Sequence, residues 1–326
     1  MKKRLLSGMR PTGALHLGNY VGALKNWVKL QEEYECYYTV VDWHALMSEY
    51  KNPSAVREAI PEVVADWLAC GIDPKKSVVF KQSDVKEHLE LAMIFGNLVS
   101  LGRLYRCPTY KEQLRELRGK DITNYSFLGY PVLQAADILI YRAAVVPVGE
   151  DQLPHIELTR EIARDFNSTY KEVFPEPDAI LTPVPRLPGL DGRKMSKSYG
   201  NAIFLGDTEE EIKSKVMVAL TDTKRARKSD PGHPDECNLF PYYLAFFTER
   251  SAELQRECVS AKIGCVDCKK KLAGLLSEFL SPIREKRQQV LKEPAYIDEI
   301  LGEGAVKARK TASETMRLVR KAMGLI

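Results

Sequence analysis

No apolar run in the 326 residues approaches the roughly 18–20 needed to cross a bilayer. The basic start MKKRLLSGMRPTG has only two leucines before Ser7 and Gly8. A secretory core takes roughly 7–15 apolar residues, so the expectation is a cytoplasmic protein with no signal peptide and no membrane partner. Strong charge of one sign is also missing. With 48 Lys+Arg against 44 Asp+Glu, the net +4 permits nucleic-acid binding without arguing for it. Seven cysteines are too few for a disulfide framework in a chain this long. Cys36, Cys70 and Cys107 are scattered and read as small buried hydrophobes. There is no internal repeat and no low-complexity segment. What is left is a globular composition, 44% hydrophobic, in a length that suits two domains.

The first two hundred residues alternate strand and helix signals. RLLSG (4–8), YYTVVD (37–42), SVVFK (77–81) and AVVPVG (143–149) are short β-branched or aromatic runs, most ending at a turn former. Between them lie helical patterns: SAVREAIPEVVADWLACG with Ser54 as the expected N-cap and Gly71 as the stop, KEHLELAMIFGNLVSLGRLY, and EDQLPHIELTREIARDF. Such alternation predicts an α/β fold, a Rossmann-like parallel-sheet domain over residues 1–206. After residue 207 the strand signals stop. TEEEIKSKVMVAL opens with a capping-box pattern at Thr208 and Glu211, and two basic amphipathic helices follow, which predicts an all-helical domain over 207–326.

Two stretches point to polyanion chemistry. SGMRPTGALHLGNYVG follows the first strand at once. Gly8, Gly13 and Gly18 allow a tight turn and close backbone approach, and a helix starting near Leu17–Gly18 would aim free N–H groups and its positive end at that turn. His16 and Asn19 add donors. The stretch is neither a Walker A loop nor GxGxxG, and a histidine in such a turn is more often merely solvated. Much later, DGRKMSKSYGN (191–201) places two lysines and two serines between glycines, which reads as an ordinary solvated loop or as a mobile basic arm.

Taken together, HLGN at 16–19 and KMSKS at 194–198 resemble the two signatures of class I aminoacyl-tRNA synthetases, the second residue for residue. The resemblance implies ATP-dependent activation of an amino acid. His16, Asn19, the Gly18 backbone, Lys194 and Lys197 would hold phosphate oxygens with Mg2+, and Met195, Ser196 and Ser198 would complete the loop. The remaining ATP contacts would be Arg10, Pro11, Thr12, Leu187, Gly149, Glu150 and Asp151. Such chemistry needs positioned donors more than a nucleophile, because negative charge spreads over phosphate oxygens in the transition state.

YPVLQAADILIYRAAVVPVGEDQLPHIELTR (130–160) is similar to the tryptophanyl-tRNA synthetase family over its whole length. That likeness implies that Asp137 accepts the indole N–H of L-tryptophan, that Tyr130 and Gln152 hold the substrate's ammonium and carboxylate, and that Asp42 and His44 support the pocket. A site with a buried acceptor rejects a phenyl ring that brings no donor. Two departures from many bacterial relatives are Arg10 and Gln134, and the second would put a polar group one helical turn before Asp137. IDEILGEGAVKARKTASETMRLVRKAMGL (297–325) resembles the last helices of the family, which help recognise the anticodon. The family also implies a homodimer that binds tRNA(Trp). Rival readings are a tyrosyl-tRNA synthetase, a metabolite adenylyltransferase, and a non-catalytic paralogue that senses tryptophan or binds RNA.

The other four cysteines are not scattered. Cys237, Cys258, Cys265 and Cys268 supply four thiols within about thirty residues, enough for an iron–sulfur cluster or tetrahedral zinc. The spacing resembles a minority of tryptophanyl-tRNA synthetases that carry a four-iron (4Fe–4S) cluster in the anticodon domain, with Zn2+ as the alternative.

Overall fold

The computed structural model describes residues 2–116, 122–181 and 187–326; the side chains of residues 112, 113, 115, 116 and 198 lie outside that description. Five strands, β1 (Arg4–Met9), β2 (Glu35–Val40), β3 (Ser77–Lys81), β4 (Val145–Val148) and β5 (Asp178–Leu181), form one parallel sheet in the order β3-β2-β1-β4-β5. Order and direction are those of a Rossmann-type sheet, whose strand order reverses between β1 and β4. The central strands are buried on both faces, which is why they read as continuous hydrophobic runs. β5 was not expected. Its sequence DAIL has one β-branched residue and lies half-exposed at the sheet edge, so it carries little strand signal. Among the described residues no strand follows Leu181, and no helix is long and apolar enough to cross a membrane.

Contacts divide the chain into two compact units. Met1–Gly13, Trp27–Thr182 and Val290–Ile326 form one, and Ala14–Asn26 with Pro183–Gln289 form the other. This division differs from a cut at 206/207 in three segments: Ala14–Asn26, residues 183–206 and Val290–Ile326. The last helix, Pro294–Ala322, belongs to the sheet-bearing unit, because Ile297, Ile300, Leu301, Ala305, Ala308, Ala312, Met316 and Val319 make one buried stripe at helical spacing. In the other unit, residues 187–206 join the helices. There Leu15–Leu17 runs against Ile203–Leu205, with Leu17 N–H donating to Ile203 O at 2.9 Å and Leu205 N–H to Leu15 O at 2.9 Å.

Local signals account for most helix ends. Thr208 and Glu211 form the expected capping box of Glu209–Val218. Gly71 ends Pro53–Cys70 at φ 108°, but the helix starts at Asn52 with Pro53 in the first turn, not at Ser54. The expected helix over 86–105 divides into Glu87–Gly96 and Leu101–Tyr105, the second capped by Ser100. Gly304 is the tightest helix position: a Cβ there would fall 1.7 Å from Val79 O, which is β3 backbone and cannot give way. Gly304→Ala is therefore expected to destabilise the sheet-bearing unit by about 3 kcal/mol, at the upper end for overpacking. Urea unfolding with an unchanged midpoint would show that the helix does not seat against Val79.

Candidate active site

In an open α/β sheet, ligands bind beyond the carboxyl ends of the strands, where the strand order reverses. β1 ends into Arg10, Pro11 and Thr12, and β4 into Gly149, Glu150, Asp151 and Gln152. β2 leads to Asp42 and His44, and β3 to Gln82. These residues, with Tyr130, Gln134 and Asp137 on the helix Tyr125–Ile140, all belong to the sheet-bearing unit.

Asp137 is the centre of this group. It is 2% exposed, and three side chains donate to it. Gln82 Nε2 spans both oxygens at 2.8 and 2.9 Å, His88 Nδ1 donates to Oδ1 at 2.6 Å, and His44 Nε2 donates to Oδ2 at 2.9 Å. Burial pushes the carboxyl up; the charge of His88 and the hydrogen bonds of His44 and His88 outweigh it and hold it down to about 2. Asp137 is therefore a carboxylate at neutral pH, a group that offers acceptors only, each of its oxygens facing Gln82 and one histidine. The sequence pointed to Asp137 and His44. It did not point to Gln82 and His88, which arrive from β3 and from the helix Glu87–Gly96.

The other residues of this group divide between anchored and exposed. Tyr130 is buried, with its hydroxyl 3.0 Å from His155 Nε2, and His155, which the sequence also missed, has Cys107 Sγ 3.8 Å from its Nδ1. Burial holds His155 down to about 4, so this imidazole is neutral. Arg10 donates from Nη2 to Ser48 Oγ, and burial lowers its pKa against the opposing charges of Glu49 and Tyr130. Its Nε is buried without a hydrogen-bond partner among the described residues, a donor left for a ligand acceptor. Pro11 is buried, Thr12 exposed and Gln134 half-buried. Asp42 accepts from Ser83 N–H at 3.0 Å. Gly149, Glu150 and Asp151 are exposed; Gln152 is half-buried and caps Leu153–Thr169.

The two signature stretches come together in the other unit. His16 and Asn19 form a reciprocal cap at the start of the helix: Asn19 N–H donates to His16 Nδ1 at 3.2 Å, and His16 N–H to Asn19 Oδ1 at 3.0 Å. Burial first, then the charge of Lys197, lowers His16 to about 4. With Nδ1 accepting, the neutral ring carries its proton on Nε2. Met195 is buried, and its sulfur accepts the Gly18 N–H at 3.3 Å, a weak acceptor on a donor expected to hold phosphate. Lys197 lies with its Nζ 6.0 Å from the Phe204 ring centre, and Lys194 is exposed. Leu187 is buried.

The 191–201 loop is a built structure rather than a bare arm. Asn201, 3% exposed, accepts from Ser196 N–H at 2.8 Å and donates to Asp191 Oδ1 at 2.7 Å and Lys194 O at 3.1 Å. A Cβ on Gly189 would stand 2.2 Å from Asn201 Nδ2, so that residue must stay glycine. The Asn201 hydrogen bond, with those from Arg193, keeps the Asp191 carboxyl at about 2.

The four clustered cysteines share one neighbourhood in the same unit. Cys237 follows the turn Pro234–Glu236, Cys258 lies in Thr248–Val259, and Cys265 and Cys268 open Cys265–Leu291. Burial, joined by the charges of Cys237, Cys258 and Cys265 and opposed by the Tyr243 hydrogen bond, pushes the Cys268 thiol up to about 11. The donor chemistry suits a thiophilic metal. The geometry does not yet: among the described residues no three His, Cys, Asp or Glu side chains converge as a metal site.

Residues 1–281 match the family described as tRNA synthetases class I (W and Y). The chain is 56% identical over 326 residues to the tryptophan–tRNA ligase of Thermotoga maritima, covering 99% of each chain. It is 45% identical to that of Aquifex aeolicus, covering 99% of this chain and 100% of the other. Among solved structures, the tryptophanyl-tRNA synthetase of Campylobacter jejuni complexed with ADP and tryptophan matches with a TM-score of 0.89 and 36% identity, over 98% of this chain and 99% of that one.

Proposed function

We infer the function from one premise: this chain belongs to the class I tRNA synthetases of the W and Y family. It is of the bacterial tryptophanyl type and ligates tryptophan to tRNA(Trp) using ATP. The observation that carries the substrate choice is the full-length identity to tryptophan–tRNA ligases, joined by a buried carboxylate that offers acceptors only.

In the first step a carboxylate oxygen of tryptophan attacks the α-phosphorus of ATP, and the bond to pyrophosphate breaks. In the second a terminal ribose hydroxyl of tRNA attacks the acyl carbon and AMP leaves. We propose that Asp137 accepts the indole N–H at Oδ2, where His44 is the only one of its three donors with an accessible side chain, at 11%. Tyr130 and Gln152 hold the ammonium and carboxylate. Arg10, Pro11, Thr12, Leu187 and Gly149–Asp151 take the adenosine and its metal. His16, Gly18, Asn19, Lys194, Lys197 and the rest of the loop take the phosphates with Mg2+. Neutral His16 would donate through Nε2 and need not lose a proton.

ATP–pyrophosphate exchange with tryptophan, tyrosine and phenylalanine in parallel tests this reading. Exchange with tryptophan alone is expected; equal exchange with tyrosine would overturn the role of Asp137.

We also propose that the segment 207–326 reads the anticodon, that the enzyme works in the cytoplasm, and that it is a homodimer. Exposed Leu89, Met93, Leu101 and Tyr105 on two successive helices support the last point. The four cysteines are proposed to hold a 4Fe–4S cluster in a structural role. The support is their spacing and shared electrostatic neighbourhood. Anaerobically purified protein should contain iron and sulfide, and Cys265→Ser should lose both together with the brown colour. Stoichiometric zinc in the wild type, or no metal at all, would refute the cluster.

A further inference from the structure

We propose that His88, backed by Tyr141, is the positioning residue that fixes which oxygen of Asp137 faces the substrate. The proposal rests on the reading that Asp137 accepts the indole N–H. A carboxylate at the end of a short side chain can turn about its last torsion, which is broad and roughly two-fold. To be read by a single N–H donor it must be held.

Gln82 Nε2 reaches both oxygens of Asp137 and one histidine reaches each, so the oxygens differ in their histidines. Oδ1 is tied by His88 Nδ1 at 2.6 Å, the shortest contact in the cluster, from a ring with 0% exposure. Oδ2 is tied by His44, the partly accessible one. Asp137 as a carboxylate only accepts, so Nδ1 of His88 carries a proton whether the ring is neutral or charged. The opposite nitrogen, Nε2, lies 2.7 Å from the Tyr141 hydroxyl, so both nitrogens of His88 are used.

Tyr141 is in turn immobile. Its ring is fully buried, stacks on Tyr37 at 4.6 Å and meets Phe80 edge-on at 5.5 Å. The Tyr37 hydroxyl is 3.0 Å from Thr311 Oγ1 and donates to Glu35 Oε1 at 3.0 Å. An unbroken series of contacts thus runs from the sheet and the last helix to one oxygen of Asp137. The second oxygen, on the side of the partly accessible His44, is then the one assigned to the substrate donor. Directed support of this kind holds a site to within about half an ångström.

The test compares tryptophan with β-(3-benzothienyl)alanine, in which sulfur replaces the indole N–H, by ATP–pyrophosphate exchange. Wild type should prefer tryptophan by roughly 100-fold or more in kcat/KM. His88→Leu should raise the KM for tryptophan about tenfold or more with little change in kcat, leave the benzothienyl substrate nearly unaffected, and so collapse the preference. His88→Asn, whose amide nitrogen stands in for Nδ1, should restore most of it. Wild-type KM and preference in His88→Leu would overturn the proposal. Absence of preference in the wild type would instead remove the reading of Asp137 beneath it, a separate result. If His88→Leu does not fold, Tyr141→Phe decides: a preference reduced severalfold with kcat maintained supports the proposal, and wild-type behaviour overturns it.

Discussion

Lys197→Ala is expected to lower kcat for tryptophan-dependent ATP–pyrophosphate exchange by roughly 10²–10³-fold while leaving the KM for tryptophan within about twofold. The asymmetry follows from where charge develops. The amino-acid carboxylate and ATP carry their negative charge before reaction, and in the transition state more of it spreads onto oxygens facing pyrophosphate. A cation that meets those oxygens only then changes rate rather than affinity. Lys197 is placed for this by a loop that Asn201 ties at Ser196 and Lys194. Its field is already felt by His16, whose pKa it helps to lower to about 4. A second readout is therefore available. In Lys197→Ala the His16 imidazole should titrate at higher pH than in the wild type, measurable by NMR, although burial, the larger cause, still holds it below the usual histidine value. Exchange at the wild-type rate would sink the role of the loop. An unmoved His16 would sink its proximity to that imidazole.

The contiguous parts of the site were legible because they are motifs: HLGN, KMSKS and the AAD and GEDQ segments each keep their residues within a few positions. The partners that hold those motifs were not. Gln82 and His88 reach Asp137 from 55 and 49 residues away, and His155 reaches Tyr130 from 25. No spacing rule on one strand or helix can announce them, because parallel strands bring together chain segments through long crossovers. One signal was available. Histidine is scarce, five in 326 residues, and four of the five, His16, His44, His88 and His155, come to lie against residues of the two sites in the folded chain. Asn201, at the end of the 191–201 stretch, carries no sequence signal that marks it as the loop's organising side chain. The same contrast holds for the fold. β2 to β4 carry β-branched or aromatic runs and β1 a buried leucine pair, whereas DAIL at β5 becomes a strand by pairing with β4 rather than by propensity. The last helix read as amphipathic and basic. That its small-residue stripe seats on β3 depends on Val79 O lying where only a glycine fits, which is a property of the packed pair.

Asp137→Asn is the second large effect, and its interpretation turns on counting donors. The wild-type carboxylate offers acceptors only, and Gln82, His88 and His44 all donate to it. An amide of the same shape keeps one acceptor and turns the other position into a donor. If its oxygen takes the His88 side, its nitrogen faces His44 and the incoming indole N–H, donor against donor. If it takes the other side, His88 must give up its Nδ1 proton and lean on Tyr141 through Nε2. Either arrangement conflicts with the built network, and the first is the less costly for the free protein, because the partly accessible His44 imidazole can change tautomer while the His88–Tyr141 pair stays intact. Stability should therefore fall by only about 1–3 kcal/mol, while kcat/KM for tryptophan falls roughly 10²–10³-fold through loss of the one acceptor that distinguishes indole from an apolar ring. Tyrosine should not gain in compensation, since its phenol O–H is also a donor and meets the same amide nitrogen. Urea unfolding and exchange kinetics on the same preparation separate the two effects. A stability loss with tryptophan kcat/KM retained within severalfold would make Asp137 a structural carboxylate, and recognition of the indole would then have to lie elsewhere in the pocket.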